Sequence, residues 1–555
     1  MSKLENQIKT TNRQVILGLI SIIIIGLSIR IFYFPNDIPI VTDGHFNFVY
    51  AMKTIIEGNL PEGYLVTNSG WSNFLSFLFM FSDRTEPLHL MNIQRMSTII
   101  ISSLTAIPSF YLLKKFVDTK WALFGGFMLV IEPRLLLASL EGLNYTLFFF
   151  IFISSLVLFL KKTSLGFFLS FVCIALLALV RYEGILLIVP FSILYFIQYK
   201  NKKSLYRFIG MIGILILILI PVGVLRSEAT QEYCMDYIFG TVCGQDGITN
   251  NFLAGPKFIY KYLIMNEPLS ETNPIAFTSN MGDSDSEFHG EKYGSGGTNL
   301  GNALEESLSR LIKFVAISMI PFFGFFMLFN LLTRIKDSSR KINFDIKVIL
   351  ISSGIMLLPA LYAYARGIDE IRYILILMPI FTILSVLWNK KIHEKITKIH
   401  IMIILLTLIL FTSIFFIEMN KRDYVHDMKS FTVSKEIVKV TGITNSFDQG
   451  GYIKIAMLFS NWPQLPDSGA DGKIKHEFEK IPIKEFKSIE ELIIKSRDKG
   501  LEFIVVDENT ELFRDLRESS EEYVYLKKIF SYDETERNNE FSIFKINYEL
   551  FDLRT

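Results

Sequence analysis

The chain has 555 residues, half of them hydrophobic, with 50 Phe and a mean hydropathy of +0.37. Its 56 Lys and Arg nearly balance its 55 Asp and Glu, so it lacks the basic field that a nucleic-acid partner requires. The apolar residues come in blocks as long as a bilayer is thick, the pattern of a membrane protein.

The first block, Val15 to Phe34, is too long for a signal-peptide core and has no small-residue cleavage pattern after it, so it reads as a retained span. Counting blocks of roughly 17 to 25 residues predicts eleven spans: 15–34, 92–112, 121–139, 142–160, 165–181, 184–199, 206–225, 308–332, 345–364, 372–388 and 400–418. The shorter block Trp71 to Phe81 suits a re-entrant or interfacial helix. Cytoplasmic loops retain positive charge during insertion. With the N-terminus inside, the inner loops carry Lys114, Lys115 and Lys120, then Lys161 and Lys162, then Lys200 to Arg207, Arg334 to Lys341, and Lys390 to Lys398. Loop 35–91, loop 226–307 and everything beyond residue 420 then fall on the outer side. The fold expected is a polytopic α-helical membrane protein of the plasma membrane, with a transmembrane domain over 1–419 and an exoplasmic α/β domain over 420–555.

Ionisable groups beside apolar runs are expensive to place, so each is a functional candidate. Asp43 follows the first span in "TDGHFNFVYAMKTIIEGNLP". It suits a helix cap, or a base that deprotonates an acceptor hydroxyl away from bulk water. His45 is either an interfacial polar residue or a substrate or metal contact. Glu132 and Arg134 form a candidate local ion pair. Glu141 falls where one span ends outside and the next begins, as a helix-start carboxylate or a second acid beside Asp43. The sequon at Asn144 sits at a span head, where a glycan would meet lipid.

Arg181 closes a span in "RYEG", which also holds Glu183, and Arg372 opens one in "YARGIDEIRY", which holds Arg366, Asp369 and Glu370. A planar guanidinium grips a phosphodiester leaving group through two donors as its charge grows. Arg372, Arg181 and Arg366 are therefore the candidate donor-phosphate ligands, although Arg366, lying farthest out, also suits ordinary snorkelling. Cys234 and Cys243 flank a short polar stretch in an outer loop, where the compartment permits a disulfide; two reduced thiols are the alternative. "GDSDSEFHGE" (Gly282 to Glu291) alternates acids as a cation loop does, but it lacks the EF-hand spacing and reads as a solvated segment.

Beyond residue 420 apolar residues thin out. Lys487 to Gly500 has helical spacing, Leu501 to Asn509 reads as a buried strand, and "YVYLKKIFSY" and "EFSIFKINY" alternate as strands do. This α/β domain has no nucleotide-binding glycine fingerprint, and its expected role is support or acceptor presentation.

The strings "DGHFNFVYAMKTIIEGN", "SGWSNFLSFLF", "EP…LASLEGL", "RYEG" and "RYILILMPIF", set in many spans, resemble the GT-C superfamily of polyprenyl-phosphate-sugar glycosyltransferases. That superfamily includes protein O-mannosyltransferases, aminoarabinose transferases and oligosaccharyltransferase catalytic subunits. The likeness covers residues 10 to 420 in layout. It implies that Asp43 matches the first-loop catalytic carboxylate, Glu141 the second acid, and Arg372 the arginine that grips carrier phosphate. Gly44 stands where many relatives have Glu beside the Asp, and a divalent metal, Mg or Mn, is left open. "WWDxG" is absent, "NWPQ" (Asn461 to Gln464) being the nearest string. The expected partners are a polyprenyl-phosphate sugar, membrane lipid, and a protein, glycan or lipid acceptor. The expected reaction is inverting transfer of one sugar to a hydroxyl on the exoplasmic side. An oligosaccharyltransferase-like enzyme and a transporter or flippase of lipid-linked sugars are the alternatives. Transporters place polar residues at the midplane, whereas here the span interiors are nearly free of charge.

Overall fold

The structure is a computed structural model that describes residues 12–40, 43–60, 68–82, 87–230, 241–242, 249–250, 300–319, 344–365, 370–395, 399–420, 486–497, 501, 503–507, 511–534 and 539–554. Arg366, Cys234, Cys243 and the acidic stretch from Gly282 to Glu291 lie outside them, as does the side chain of Asp43.

The described chain is mostly helical, and the predicted apolar blocks fall on helical segments where they are described; residues 320–332 of the block 308–332 lie outside the described residues. The helices are α1 (Asn12–Phe32), α2 (Asp43–Glu57), α3 (Gly70–Phe79), α4 (Pro87–Leu104), α5 (Ala106–Leu113), α6 (Thr119–Val130), α7 (Pro133–Leu140), α8 (Tyr145–Leu160), α9 (Ser164–Val180), α10 (Ile188–Gln198) and α11 (Lys202–Thr230). After a short antiparallel pair, β1 (Thr241–Val242) with β2 (Thr249–Asn250), come α12 (Leu300–Met319), α13 (Phe344–Ile355), α14 (Leu358–Ala365), α15 (Met378–Lys395) and α16 (Ile399–Asn420). Among the described residues four helical stretches are long and apolar enough to cross a membrane, or five if a bent pair counts as one. Five shorter apolar helices accompany them.

The bent pair is α6 and α7, which meet at 48°. The sequence shows why the block breaks there: Pro133 can start a helix but cannot continue one, and the Glu132 carboxylate caps α7 by accepting from Leu135 N at 2.8 Å. The carbonyls freed by the break find donors. Val130 O accepts from Arg30 at 2.9 Å, and Ile131 O accepts from Ser413 on α16. Glu132 pairs with Arg134 at 3.1 Å, the local pair expected, and Arg134 also donates to Ile317 and Ser318 carbonyls at the end of α12. Arg30 and Arg95 are buried as well. The helix ends thus hold more charge than an apolar reading of the blocks suggests, each group surrounded by hydrogen bonds as burial demands.

A continuous apolar core joins α1, α5, α6, α8, α9, α10, α13 and α15. A second cluster, with Trp71, Leu75, Phe48 and Met91 at its centre, packs α2 and α3 against the head of α4. It presses the segment between α1 and α4 onto the bundle, while Phe77 on α3 and Phe81 just beyond it stay exposed.

Further along, α17 (Ile489–Ser496), β3 (Phe503–Asp507), α18 (Arg514–Glu518), β4 (Leu526–Glu534), β5 (Asn539–Ile546) and α19 (Tyr548–Arg554) follow the predicted order of helix and strands. The sheet is antiparallel with order β3-β5-β4. Ser488 caps α17 by accepting from Glu491 N, and Ile489, Leu492, Ile504, Val506, Phe544 and Phe551 form a separate apolar core. Phe544 and Ile546 are buried while Lys545 between them is exposed, the alternation of a strand covered on one face.

Candidate active site

Two groups of sequence-predicted residues sit at the same end of the helices, on either side of the turn from Glu141 to Tyr145. The first surrounds the start of α2. Asp43 is its first residue, which agrees with a helix-start position. Glu141 is the C-cap residue after α7, which ends at Leu140, and does not start α8; the reason is Gly142, whose φ of +71° ends the helix in a conformation glycine alone adopts cheaply. Asn144 then precedes α8.

Gln94 joins the two segments. Its side-chain amide donates to Gly44 O and to Gly142 O, both at 2.9 Å. This clamp places the residue after Asp43 beside the residue after Glu141. The approach is so close that a Cβ on Gly44 would lie 2.9 Å from Glu141 O and 2.6 Å from Ile40. Glycine fits here because the Ile40 side chain and the Glu141 carbonyl leave no room for a Cβ. Arg95, next to Gln94, donates to the carbonyls of Pro35, Ile38, Pro39 and Leu140. It thereby fixes the segment between α1 and α2 against the end of α7.

His45 turns inward. It is 1% exposed, with Phe46 and Phe48 ring centroids 6.4 and 6.2 Å away and the Ile40 backbone beside it. Burial pushes its pKa down to about 3, against a smaller opposing effect from Ile40. The unfolded imidazole takes a proton near pH 6.5 and the folded one refuses it until about pH 3. Stability linked to His45 is therefore complete above pH 6.5 and is lost as pH falls toward 3. By pH 5 the loss should reach about 2 kcal/mol. Thermal unfolding at pH 7.5 and 5 should show it, and His45→Leu should flatten the pH dependence by that amount. Among the described residues no three His, Cys, Asp or Glu side chains gather as metal ligands. His45 faces aromatic rings and Glu183 is held by Arg181, so the described donors do not make a metal centre, and no step below runs through one.

The second group lies across the turn. α9 ends at Val180, Arg181 continues in extended conformation, and Tyr182–Leu187 form a 3₁₀ turn that leads into α10. A Cβ on Gly184 would lie 2.4 Å from Leu177 Cβ, so glycine is what lets this turn fold back on α9. A second 3₁₀ turn, Ile371–Leu377, follows extended Glu370 and leads into α15. Runs this long are uncommon in 3₁₀ geometry and often mark functional segments. Each turn carries an arginine and a carboxylate two residues apart, and each pair is closed: Arg181 with Glu183 at 2.6 Å, Arg372 with Glu370.

Both guanidiniums converge on one ring. Tyr145 lies 4.2 Å from Arg181 Cζ and 5.6 Å from Arg372 Cζ, ring centroid to carbon. Tyr145, Arg181, Glu183, Arg372 and Tyr373 line a cavity of about 30 Å³ whose remaining wall is apolar, including Phe148 and Met356. Asn68, just before α3, ties the segment between α1 and α4 to the turn that holds Arg181 by donating to Ala178 O and accepting from Tyr182 N. The two groups are neighbours along the chain, since three residues lie between Glu141 and Tyr145 and the four steps span at most about 14 Å.

The structure thus brings Arg181, Glu183 and Arg372 together, places the segment holding Asp43 against Glu141, and turns His45 into a core. Gln94, Arg95 and Tyr145 had not stood out in the sequence. A glutamine and an arginine adjacent at the head of an apolar block were the available signal for the first two.

Solved structures share this helical fold. The Archaeoglobus fulgidus oligosaccharyltransferase in its apo form matches with a TM-score of 0.51 and 11% identity, over 90% of this chain and 70% of that one. The same protein in complex with zinc and sulfate gives 0.51 and 12%, over 96% and 73%. ArnT from Cupriavidus metallidurans bound to undecaprenyl phosphate is also similar, with a TM-score of 0.47 and 9% identity over 96% and 98%. No protein-family model matches the sequence, and no curated protein matches it.

Proposed function

We propose that the protein is a membrane glycosyltransferase that moves a single sugar from a polyprenyl-phosphate carrier to an acceptor hydroxyl on the exoplasmic side, with inversion. The observation that carries this reading is the convergence of Arg181 and Arg372 on Tyr145 in one cavity at the heads of apolar helices. Two arginines held at such a boundary suit a lipid-borne anion. Eleven spans with the N-terminus inside put this end of the bundle, the first outer loop and the α/β domain beyond residue 420 on the outer face. That domain supports the bundle or presents acceptor.

In the reaction, the carboxylate of Asp43 takes the proton from the acceptor hydroxyl, and the oxygen attacks the anomeric carbon. The bond from that carbon to the carrier phosphate breaks, and the phosphate leaves with the electron pair, its charge held by Arg372 and Arg181. Both guanidiniums are already balanced by Glu370 and Glu183, so donor phosphate must displace these carboxylates, in part or wholly. Glu141 orients the acceptor, held beside Asp43's helix by the Gln94 clamp. Arg366 is a further donor for the phosphate, and Cys234 and Cys243 form a disulfide.

Asp43→Asn at unchanged expression is expected to lose transfer while retaining donor binding; full activity in that variant would remove the base from the scheme. The oligosaccharyltransferase fold favours one second reading, an enzyme that transfers glycan to peptide with a divalent metal, Mg or Mn. Transfer to peptide that stops with chelator and returns with metal would select it.

A further inference from the structure

We propose that Tyr145 is a direct ligand of the carrier phosphate, donating its phenolic hydrogen to an anionic oxygen held between Arg181 and Arg372. The inference rests on the donor-phosphate reading of this cavity and adds to it a residue that touches the substrate. Tyr145 is the first residue of α8, and its ring lies under both guanidiniums at 4.2 and 5.6 Å. The ring face attracts both cations and holds them near one another where they would otherwise repel.

The hydroxyl has a different character. It is buried and has no hydrogen-bond partner among the described residues, although it belongs to a side chain that lines the cavity. Buried tyrosine hydroxyls ordinarily find a partner, and leaving one unmatched is costly. A group kept in that condition beside two arginines is suited to a ligand that supplies the acceptor. The charge of the site says which kind. Once a phosphate displaces Glu183 and Glu370 from the two guanidiniums, its anionic oxygen gains from both of them and from the phenol at once.

The test is binding of a short-chain polyprenyl phosphate to the full-length protein in detergent, with the matching prenol and inorganic phosphate as controls. Tyr145→Phe keeps the ring and removes only the hydroxyl. It is expected to weaken polyprenyl phosphate binding about tenfold, the effect of one hydrogen bond to a charged group, with prenol binding unchanged. The ligand-free variant should melt no lower than the wild type, because the hydroxyl it loses had no partner. A structural tyrosine would give the reverse pattern, lower melting and equal loss for phosphate and prenol, and that result overturns the proposal. Arg372→Ala separates the two levels of the argument. If it weakens phosphate binding while Tyr145→Phe does not, the hydroxyl is no ligand and the phosphate site stands. If neither variant weakens it, both the inference and the donor-phosphate reading fall.

Discussion

Arg372→Ala should lower sugar transfer about 100-fold, near 3 kcal/mol of lost stabilisation for the departing phosphate. The expectation follows from position. Arg372 heads the 3₁₀ turn before α15, lies over Tyr145, and lines the cavity with Arg181. An interaction that strengthens as the phosphate gains charge acts on the chemical step, so the maximal rate should fall along with donor affinity. Arg372→Lys should fall between, since an ammonium keeps the charge but loses the planar two-donor fork and its stacking on the ring. Arg181→Ala should act in the same direction. Initial rates over a range of donor concentration, at matched expression, check the series; unchanged rates in Arg372→Ala would assign the guanidinium to its pairing with Glu370 alone.

Arg95→Met should produce the largest loss of stability, about 4 kcal/mol. Arg95 is 2% exposed and donates to four carbonyls, those of Pro35, Ile38, Pro39 and Leu140. Methionine fills much of the volume but offers no donor, and each buried acceptor left alone costs about 1–3 kcal/mol before the chain relaxes. The affected segment runs directly into α2. The variant should therefore melt several degrees lower in detergent and lose transfer even where it remains folded, because the first residue of α2 is Asp43. Thermal unfolding and transfer measured on the same preparation separate these effects. A variant with wild-type melting would show that other groups hold the segment.

The sequence made the helices legible because a bilayer-length apolar block has few other uses, and the described blocks found their helices. The break inside 121–139 was less visible. Pro133 and Glu132 announce a helix start, but the apolar run on both sides hides the 48° bend that they cause. Arg181 and Arg372 were legible because charge at the end of an apolar block needs a reason. Tyr145 was not, since a tyrosine at a helix head is ordinary, and its meaning depends on two arginines far along the chain. Gly44 is the clearest case of a residue whose sequence reading needed the fold. As a departure from an acid pair it tells against a paired-acid metal site, and in the structure it is what lets α2 meet the turn at Glu141.

The most direct test of the account is transfer itself. Purified full-length protein is incubated with a panel of radiolabelled polyprenyl-phosphate sugars and a crude envelope fraction as acceptor source, and labelled product and free polyprenyl phosphate are followed together. The account predicts that at least one donor gives product and free carrier phosphate in equal amounts, with the anomeric configuration inverted and the signal absent in Asp43→Asn. Movement of intact donor across vesicles without cleavage of the sugar–phosphate bond would contradict it and identify a transporter.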